Sequence, residues 1–184
     1  MRFRLHYRGN LASNGTPKQK WILRSSFSAQ LDELWKQEPL SQISKYRDAT
    51  YLPNDCYLGE NRNGVDYFPI ISERICTVAE IDILMLRPGD PGSVLVGGGD
   101  IDNRLKTLMD ALQPPNDSDT FVPQGVDRGL PVSCLLRDDK LVTRLNVETD
   151  RLLDKVSNTN EVILIIKVIV RASSGRMCNI GIAS

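Results

Sequence analysis

The sequence predicts an α+β fold in which helices pack against a mixed sheet, with the element order β-α-β-α-β-β. In the first segment Phe3, Leu5 and Tyr7 alternate with basic residues, as in a half-buried strand. The segment 105–112 instead has Leu, Leu, Met and Leu at the spacing of an amphipathic helix. Residues 161–171 (EVILIIKVIVR) are almost continuously apolar, which predicts a strand buried on both faces.

Shorter patterns predict the other elements. They are, in order, a loop at 9–20, a helix at 25–35, an irregular segment at 53–69, a strand at 75–86, a helix at 100–113, an extended loop at 114–134 and a strand at 141–149. Pro114 and Pro115 end the helix at 100–113.

Length and composition predict one globular domain over residues 1–184. Apolar residues make up 41% of the chain and charged residues 25%, the usual balance for such a domain. We expect a cytoplasmic protein, because no apolar run is long enough to span a bilayer and the N-terminal segment does not have the pattern of a signal peptide. The four cysteines lie far apart without a C-x-x-C pair, so we expect free, mostly buried thiols.

The charges are unevenly distributed although the net charge is zero. Residues 1–31 contain six basic side chains and no acidic one, whereas residues 100–154 are rich in aspartate. A basic arm opposite a carboxylate cluster suits an enzyme that holds phosphates beside a metal ion. Chance segregation of charges onto solvated faces would give the same composition.

The candidate site centres on two aspartates at the start of a predicted helix. Asp100 and Asp102 follow three glycines, and residues two apart in an extended segment project to the same side, so both carboxylates can face one cation. The alternative is that Asp102 caps the helix. Lys106 and Asp110 follow at one-turn intervals, either as surface ion pairs or, for Lys106, as a phosphate ligand.

A second acidic pair, Asp138 and Asp139, precedes the strand at 141–149. Such a pair is usually a solvated turn. If it meets the first pair in space, however, the carboxylates offer the hard oxygen ligands that Mg²⁺ prefers. His6 is the sole histidine, which disfavours a zinc hydrolase and excludes a His-based triad within one chain.

These two stretches together resemble a known family. The run Asp100-Ile101-Asp102-Asn103-Arg104-Leu105-Lys106, continued by Asp110-Ala111-Leu112, is similar to the D-x-D-N-x-x-K…D-A-L signature of RusA-type Holliday junction resolvases. Asp138-Asp139-Lys140-Leu141-Val142 is similar to the D-D-x-x-V motif that opens the family's next strand. The resemblance covers about residues 75–171. Relative to short members of the family, an insertion falls at about 114–134, and residues 36–70 are also expanded.

The resemblance implies a Mg²⁺-dependent homodimeric endonuclease, in which Mn²⁺ can substitute, that resolves Holliday junctions or related branched DNA in recombination and repair. It also implies roles for individual residues. The metal ligands would be Asp100, Asp102 and Asp139, with Lys106 as a further catalytic residue and Asn103, Asp110 and Asp138 in support. The basic residues that we expect to contact DNA are Arg8, Lys18, Lys20, Arg24 and Arg104.

Two alternatives remain open at the level of sequence. The near-neutral charge also fits a DNA-binding module of the same fold that has lost efficient turnover. A D-x-D metal pair also occurs in nucleotidyltransferases, although there the acids usually sit on a sheet instead of leading into a helix. DNA binding without nicking would favour the first alternative, and nucleotide incorporation without nuclease activity would favour the second.

Overall fold

The structure is a computed structural model that describes residues 1–50, 56–88, 100–116, 121–123, 130–155 and 158–183. For Asp100, Ile180 and Ala183 only the backbone is described. The strands are β1 (Arg2–Asn10), β2 (Glu60–Arg62), β3 (Val65–Ile71), β4 (Thr77–Arg87), β5 (Val132–Leu136), β6 (Val142–Arg151) and β7 (Glu161–Ala172). The α-helices are α1 (Pro17–Trp35), α2 (Asp100–Ala111) and α3 (Ile180–Ala183), and short 3-10 helices lie at Leu40–Arg47, Glu73–Ile75 and Asp139–Leu141.

The main sheet has four strands in the order β1-β7-β4-β6. β7 runs antiparallel to both of its neighbours, whereas β4 and β6 are parallel. Helices cover one face of this sheet: Phe27 of α1 packs against Tyr7 of β1, and Leu108 of α2 belongs to the same core. The predicted α+β class, with a mixed sheet and helices packed against it, is therefore confirmed.

A second, smaller sheet has the order β2-β3-β5. β3 pairs with β5 in parallel, with Tyr67 beside Val132 and Ile71 beside Leu136. The irregular segment predicted at 53–69 and the extended loop predicted at 114–134 were therefore wrong in part, because β2, most of β3 and the first residues of β5 fall within them. Residues 117–120 and 124–129 of the expected insertion lie outside the described residues.

Helix α1 begins eight residues before the predicted helix at 25–35, within what was predicted to be a loop. Its first turn is a capping box: the Thr16 hydroxyl accepts a hydrogen bond from the backbone N–H of Gln19, and the Gln19 side chain accepts one from the N–H of Thr16. Pro17 occupies the first helical position, where the absence of an N–H costs nothing. The residues interpreted as turn formers are thus the start signal of the helix.

Strand β7 is buried on one face only, so the prediction of a strand buried on both faces was wrong. Val162, Leu164, Ile166 and Val168 are buried under the helices, but Ile165 is 38% exposed. No described helix lies over the other face of the sheet, where residues of β7 alternate with the buried ones. Within this nearly continuous apolar run, buried residues therefore alternate with more exposed ones.

The cysteine side chains and the described helices bear on two further predictions. Every cysteine is free, as expected; Cys134 and Cys178 are buried, and Cys56 and Cys76 are partly exposed. Among the described helices, none has the length and apolar character needed to cross a membrane.

The one-sided burial of β7 predicts very different effects at two adjacent positions. Ile166→Ala should lower the free energy of unfolding by about 2–5 kcal/mol, because it leaves a cavity in the core. The same change at Ile165 should cost about 1 kcal/mol or less, because that side chain is already partly in water. Urea denaturation of the two variants measures both changes in the free energy of unfolding. Equal losses would contradict the conclusion that one face of β7 is uncovered.

Candidate functional site

Helix α2, which carries the first acidic motif, is anchored by a buried arginine. Arg104 is 7% exposed, and its guanidinium donates hydrogen bonds to the backbone oxygen of Leu11 and, at 2.9 Å, to Oδ1 of Asn160. These two acceptors lie in the segments that follow β1 and precede β7. In the same turn of the helix, Thr107 Oγ1 accepts a hydrogen bond of 2.9 Å from the N–H of Gly15. The helix is thus attached to the N-terminal loop and to the sheet.

The C-terminal end of α2 is held by α1. Arg24 is buried and donates to the backbone oxygens of Asp110 and Gln113 at 2.9 and 2.8 Å. These carbonyls are among those that a helix end leaves without partners, and a cation is electrostatically favoured there. Lys20 forms an ion pair of 2.8 Å with the Asp110 carboxylate. Asp110 therefore joins the two helices, and its supporting role at the site stays a prediction.

The anchoring of α2 leaves one face of the helix in solvent. Arg104, Thr107, Leu108 and Ala111 are buried, whereas Asp102 and Lys106 are exposed. Asp102 is the third residue of the helix, not the residue before it, so the alternative of a conventional N-cap was wrong. Lys106 forms no ion pair with Asp102, Asp110 or any other side chain of the described residues, so the predicted surface ladder of ion pairs along this helix does not form.

The second acidic motif forms a short 3-10 turn in which its two aspartates have different roles. Asp138 precedes the turn, and its carboxylate accepts a hydrogen bond of 3.0 Å from the N–H of Lys140 and contacts Lys140 Nζ at 3.2 Å. The backbone hydrogen bond is the main cause that lowers the pKa of Asp138 below its ordinary value. Asp139, the first residue of the turn, is exposed. Asp138 fixes the turn, and Asp139 is left to face outward.

Behind this turn lies an ion-pair network that the sequence did not predict. Arg137 pairs with Glu60 and, at 2.5 Å, with Glu73, while its N–H donates to the backbone oxygen of Ile71 at 2.9 Å. Lys140 also approaches Glu73, at 3.7 Å. The network joins the turn to the second sheet and to the 3-10 helix before β4. No sequence signal indicates it, because its members are far apart in the chain.

The two motifs meet at one surface depression of about 390 Å³. Its lining residues are Asp102, Leu105, Lys106, Met109, Asp110, Asp139 and Leu145. Asp102 and Asp139, on different elements, thus open onto the same space, with Lys106 beside them. Neither carboxylate forms an ion pair with a basic side chain in the described part of the chain. The side chain of Asp100, the third predicted metal ligand, lies outside the described residues, and its backbone begins α2.

The donor set is compatible with a hard divalent cation. Asp102 and Asp139 both line the depression, and carboxylate oxygens are the hard ligands that a divalent ion such as Mg²⁺ prefers. Among the described side chains, which do not include Asp100, no group of three or more His, Cys, Asp or Glu residues is close enough to hold a metal ion. Asn103 is half-buried on α2 next to Asp102.

The basic residues predicted to contact DNA need correction. Arg24 and Arg104 are buried and hydrogen-bonded to backbone and side-chain oxygens, so they are structural. Arg8 lies on the sheet face opposite the helices and pairs with Asp154 and Glu161. Lys20 is engaged with Asp110. Arg8 and Lys18 are the exposed members of the five, and Lys18, in the first turn of α1, forms no ion pair within the described residues.

Comparison with known proteins gives no relative: no family model matches the chain, no curated protein matches it, and no solved structure matches the fold.

The anchoring role of Arg104 predicts a loss of stability that its exposed neighbour does not share. Arg104→Met removes the donors to Leu11 and Asn160 and should lower the free energy of unfolding by about 1–3 kcal/mol. Lys106→Met, on the exposed face of the same helix, should change it by about 0.5 kcal/mol or less. Denaturant titration compares the two variants. An equal effect at both positions would show that Arg104 does not anchor the helix.

The turn at Asp138 predicts a pH-dependent contribution to stability. Because folding lowers the pKa of this carboxyl, its stabilisation is present at neutral pH and is lost as the pH falls through the folded-state value. Asp138→Ala should cost about 0.5–1 kcal/mol at pH 7, the lower part of the capping range, since the carboxylate is partly exposed.

The difference between wild type and Asp138→Ala should shrink below about pH 3.9, where the unfolded carboxyl also takes up a proton. Thermal or urea unfolding from pH 7 to pH 2.5 measures this, with Glu33→Ala on the exposed surface of α1 as the control. A difference that stays constant over this pH range would rule out the carboxylate as its source.

Proposed function

We propose that this protein is a metal-dependent endonuclease acting on branched DNA, with Asp100, Asp102 and Asp139 as metal ligands. One observation carries the proposal: Asp102 and Asp139, on separate elements, line one open depression together with Lys106. These are the positions at which the sequence resembles RusA-type resolvases. The depression is open and shallow enough to receive a phosphodiester on a large substrate, whereas small-molecule pockets bury most of their ligand.

The division of roles between Asp138 and Asp139 supports the proposal. A solvated turn needs only one acidic side chain to cap it, and Asp138 supplies that cap. Asp139 is therefore available for binding a cation, and the ion pairs of Arg137 hold the turn that carries it. A rigid supporting shell of this kind is what positions metal ligands for catalysis.

The residues themselves indicate how the site would work. Asp102 and Asp139 would hold Mg²⁺ or Mn²⁺, with Asp100 completing the set of carboxylates. When bound, the metal ion would supply activation of the attacking water and neutralisation of charge at the phosphodiester. Lys106, exposed and without an ion-pair partner among the described residues, would bind the phosphate and stabilise its developing negative charge.

The net charge of zero favours one competing function, a DNA-binding module without efficient turnover. Both functions require binding to branched DNA, and they differ only in cleavage. The described part of the site keeps two of the three proposed acidic ligands and the lysine exposed at one depression. A module that only binds DNA has no need for such carboxylates, which repel phosphates when no metal is present.

Cleavage of a labelled four-way junction tests the proposal. Wild type should nick the junction with Mg²⁺ or Mn²⁺ and not in EDTA. Asp102→Asn and Asp139→Asn should each lose at least about 100-fold in rate while still binding the junction as tightly or more tightly, because they remove negative charge next to the DNA. Lys106→Met should also lose rate, and Glu33→Gln, on the exposed surface of α1, serves as the matched control.

The outcomes separate the candidate functions. Tight junction binding by wild type without nicking under either metal would favour the non-catalytic module. Full activity of folded Asp102→Asn and Asp139→Asn would contradict the assigned ligands, even if the protein is a nuclease. Circular dichroism and urea unfolding of each variant distinguish loss of the site from loss of the fold.

A further inference from the structure

A second depression, of about 430 Å³, lies away from the candidate site. It is formed by the end of α1, the end of the 3-10 helix Leu40–Arg47 and the segment that precedes β5. Its lining residues are Asp32, Trp35, Lys36, Arg47, Leu130 and Pro131. None of these lines the depression that contains Asp102 and Asp139. A role of this second surface would therefore be separate from the proposed nuclease chemistry.

The guanidinium of Arg47 is largely enclosed, yet it donates no hydrogen bond within the described residues. Its Cζ lies 5.1 Å from the ring centroid of Trp35 and 4.9 Å from that of Phe68. Its ion-pair partner among the described residues is Asp32, whose Oδ1 is 3.9 Å from Nη2 and so beyond hydrogen-bond distance. Burial lowers the pKa of Arg47, and the charge of Asp32 offsets this only in part. A guanidinium carries several N–H donors, so Arg47 can serve an added acceptor.

The carboxylate of Asp32 is held by a neighbour other than Arg47. Its Oδ1 accepts a hydrogen bond of 2.5 Å from Oγ of Ser133, a buried residue of β5. The N–H of Ser133 in turn donates to Oγ of Ser28, one turn earlier on α1, at 2.9 Å. These bonds attach Asp32 to β5 instead of to the guanidinium. Because 40% of the Asp32 side chain is exposed, its carboxylate can still accept a hydrogen bond from a bound molecule.

The other lining residues add a donor, a second cation and an apolar wall. Trp35 is buried, and its Nε1–H has no hydrogen-bond partner among the described residues, although a buried indole N–H usually has one. Lys36 is exposed and pairs with Glu33 at 2.6 Å. Leu130 is 64% exposed, and Pro131 beside it is also exposed. The depression therefore combines donors that lack acceptors with one carboxylate and exposed apolar surface.

We propose that this depression binds the C-terminal residue of a partner polypeptide, where that residue has an apolar side chain. Arg47 binds the terminal carboxylate, and Lys36 adds attraction from the rim. The apolar side chain packs against Leu130, and Asp32 accepts the main-chain N–H of the same residue. A C-terminal residue carries these three groups on one Cα, which suits a depression whose complementary groups lie close together. Capture of a terminal carboxylate is a recurring mode of peptide recognition.

The charges and the shape of the depression favour this occupant over a phosphate group or a free small molecule. Asp32 lies beside Arg47 and repels any anion, and the repulsion is stronger for a phosphate monoester, which carries more than one negative charge at pH 7. A carboxylate carries a single charge, and its planar geometry matches that of the guanidinium. The depression is also open, so a small molecule would stay largely in water, whereas a polypeptide continues across the surrounding surface.

Nuclear magnetic resonance of the indole N–H groups tests the site without any substitution. The chain has two tryptophans, so the ¹⁵N-labelled full-length protein should give two such signals. The peptide acetyl-GSGL with a free C terminus should shift the signal of Trp35. The signal of Trp21, which is buried and does not line the depression, should stay in place. The same peptide with an amidated C terminus lacks the negative charge, and its dissociation constant should be about tenfold higher or more.

Two substitutions with opposite expected effects test the roles of the charges. Arg47→Met should raise the dissociation constant of the free-carboxyl peptide about tenfold or more, to the value of the amidated one. Asp32→Asn should lower it about threefold, because it removes a competing negative charge and keeps an oxygen that can accept from Ser133. Arg2→Met removes an exposed arginine that does not line the depression and is the matched control. Weaker binding by folded Asp32→Asn would contradict the placement of the carboxylate at Arg47.

The remaining outcomes separate this occupant from the alternatives. No shift of the Trp35 signal at about 10 mM free-carboxyl peptide, or equal binding of the amidated peptide, would overturn the site. Tighter binding of inorganic phosphate than of the peptide would make the depression a phosphate site. Equal binding of acetyl-GLEG-amide, which has an internal glutamate, would refute the preference for a C terminus. The comparison of peptides on wild type holds even if Arg47→Met fails to fold.

Discussion

The position of α2 depends on a buried guanidinium. Arg104 lies inside the protein, where its positive charge requires acceptors, and it finds them in the segments that follow β1 and precede β7. The helix cannot rotate about its axis without removing this charge from its partners. That constraint decides which residues of the helix face water, and Asp102 and Lys106 are on the exposed side because Arg104, Thr107 and Leu108 are on the buried one. The hydrogen bonds of Arg104 thus orient the side chains of the site, although Arg104 itself does not line the depression.

The exposure of Asp139 likewise depends on interactions of residues around it. Asp139 is exposed because the turn is closed from behind, by the carboxylate of Asp138 and by the ion pairs of Arg137. Part of that support comes from Glu60 in β2 and from Glu73 before β4, so the smaller sheet is also involved in holding the depression open. The smaller sheet is therefore connected to the candidate site through the ion pair of Arg137 with Glu60.

Much of the main sheet and both acidic motifs could be predicted from sequence, because periodicity and local spacing are properties of short segments. The second sheet could not: β3 contains Pro69, which reads as a strand breaker, and its partner β5 lies far along the chain. Local pattern also misjudged the start of α1, where Thr16 and Pro17 serve a helix as readily as a turn. Sequence could not show that Arg24 and Arg104 are buried, since the burial of a charge is decided by tertiary acceptors.

The burial of these arginines shows that the net charge of zero does not measure how many basic side chains are free at the surface. Several basic side chains are already engaged within the fold. Arg8, Lys20 and Arg137 form ion pairs, and the buried Arg24 and Arg104 donate hydrogen bonds to neutral oxygens. If the protein binds DNA as proposed, fewer basic side chains are therefore free to release counterions from it than the composition indicates. The affinity of such a complex would then have to come mainly from metal-bridged contacts at the carboxylates that line the depression.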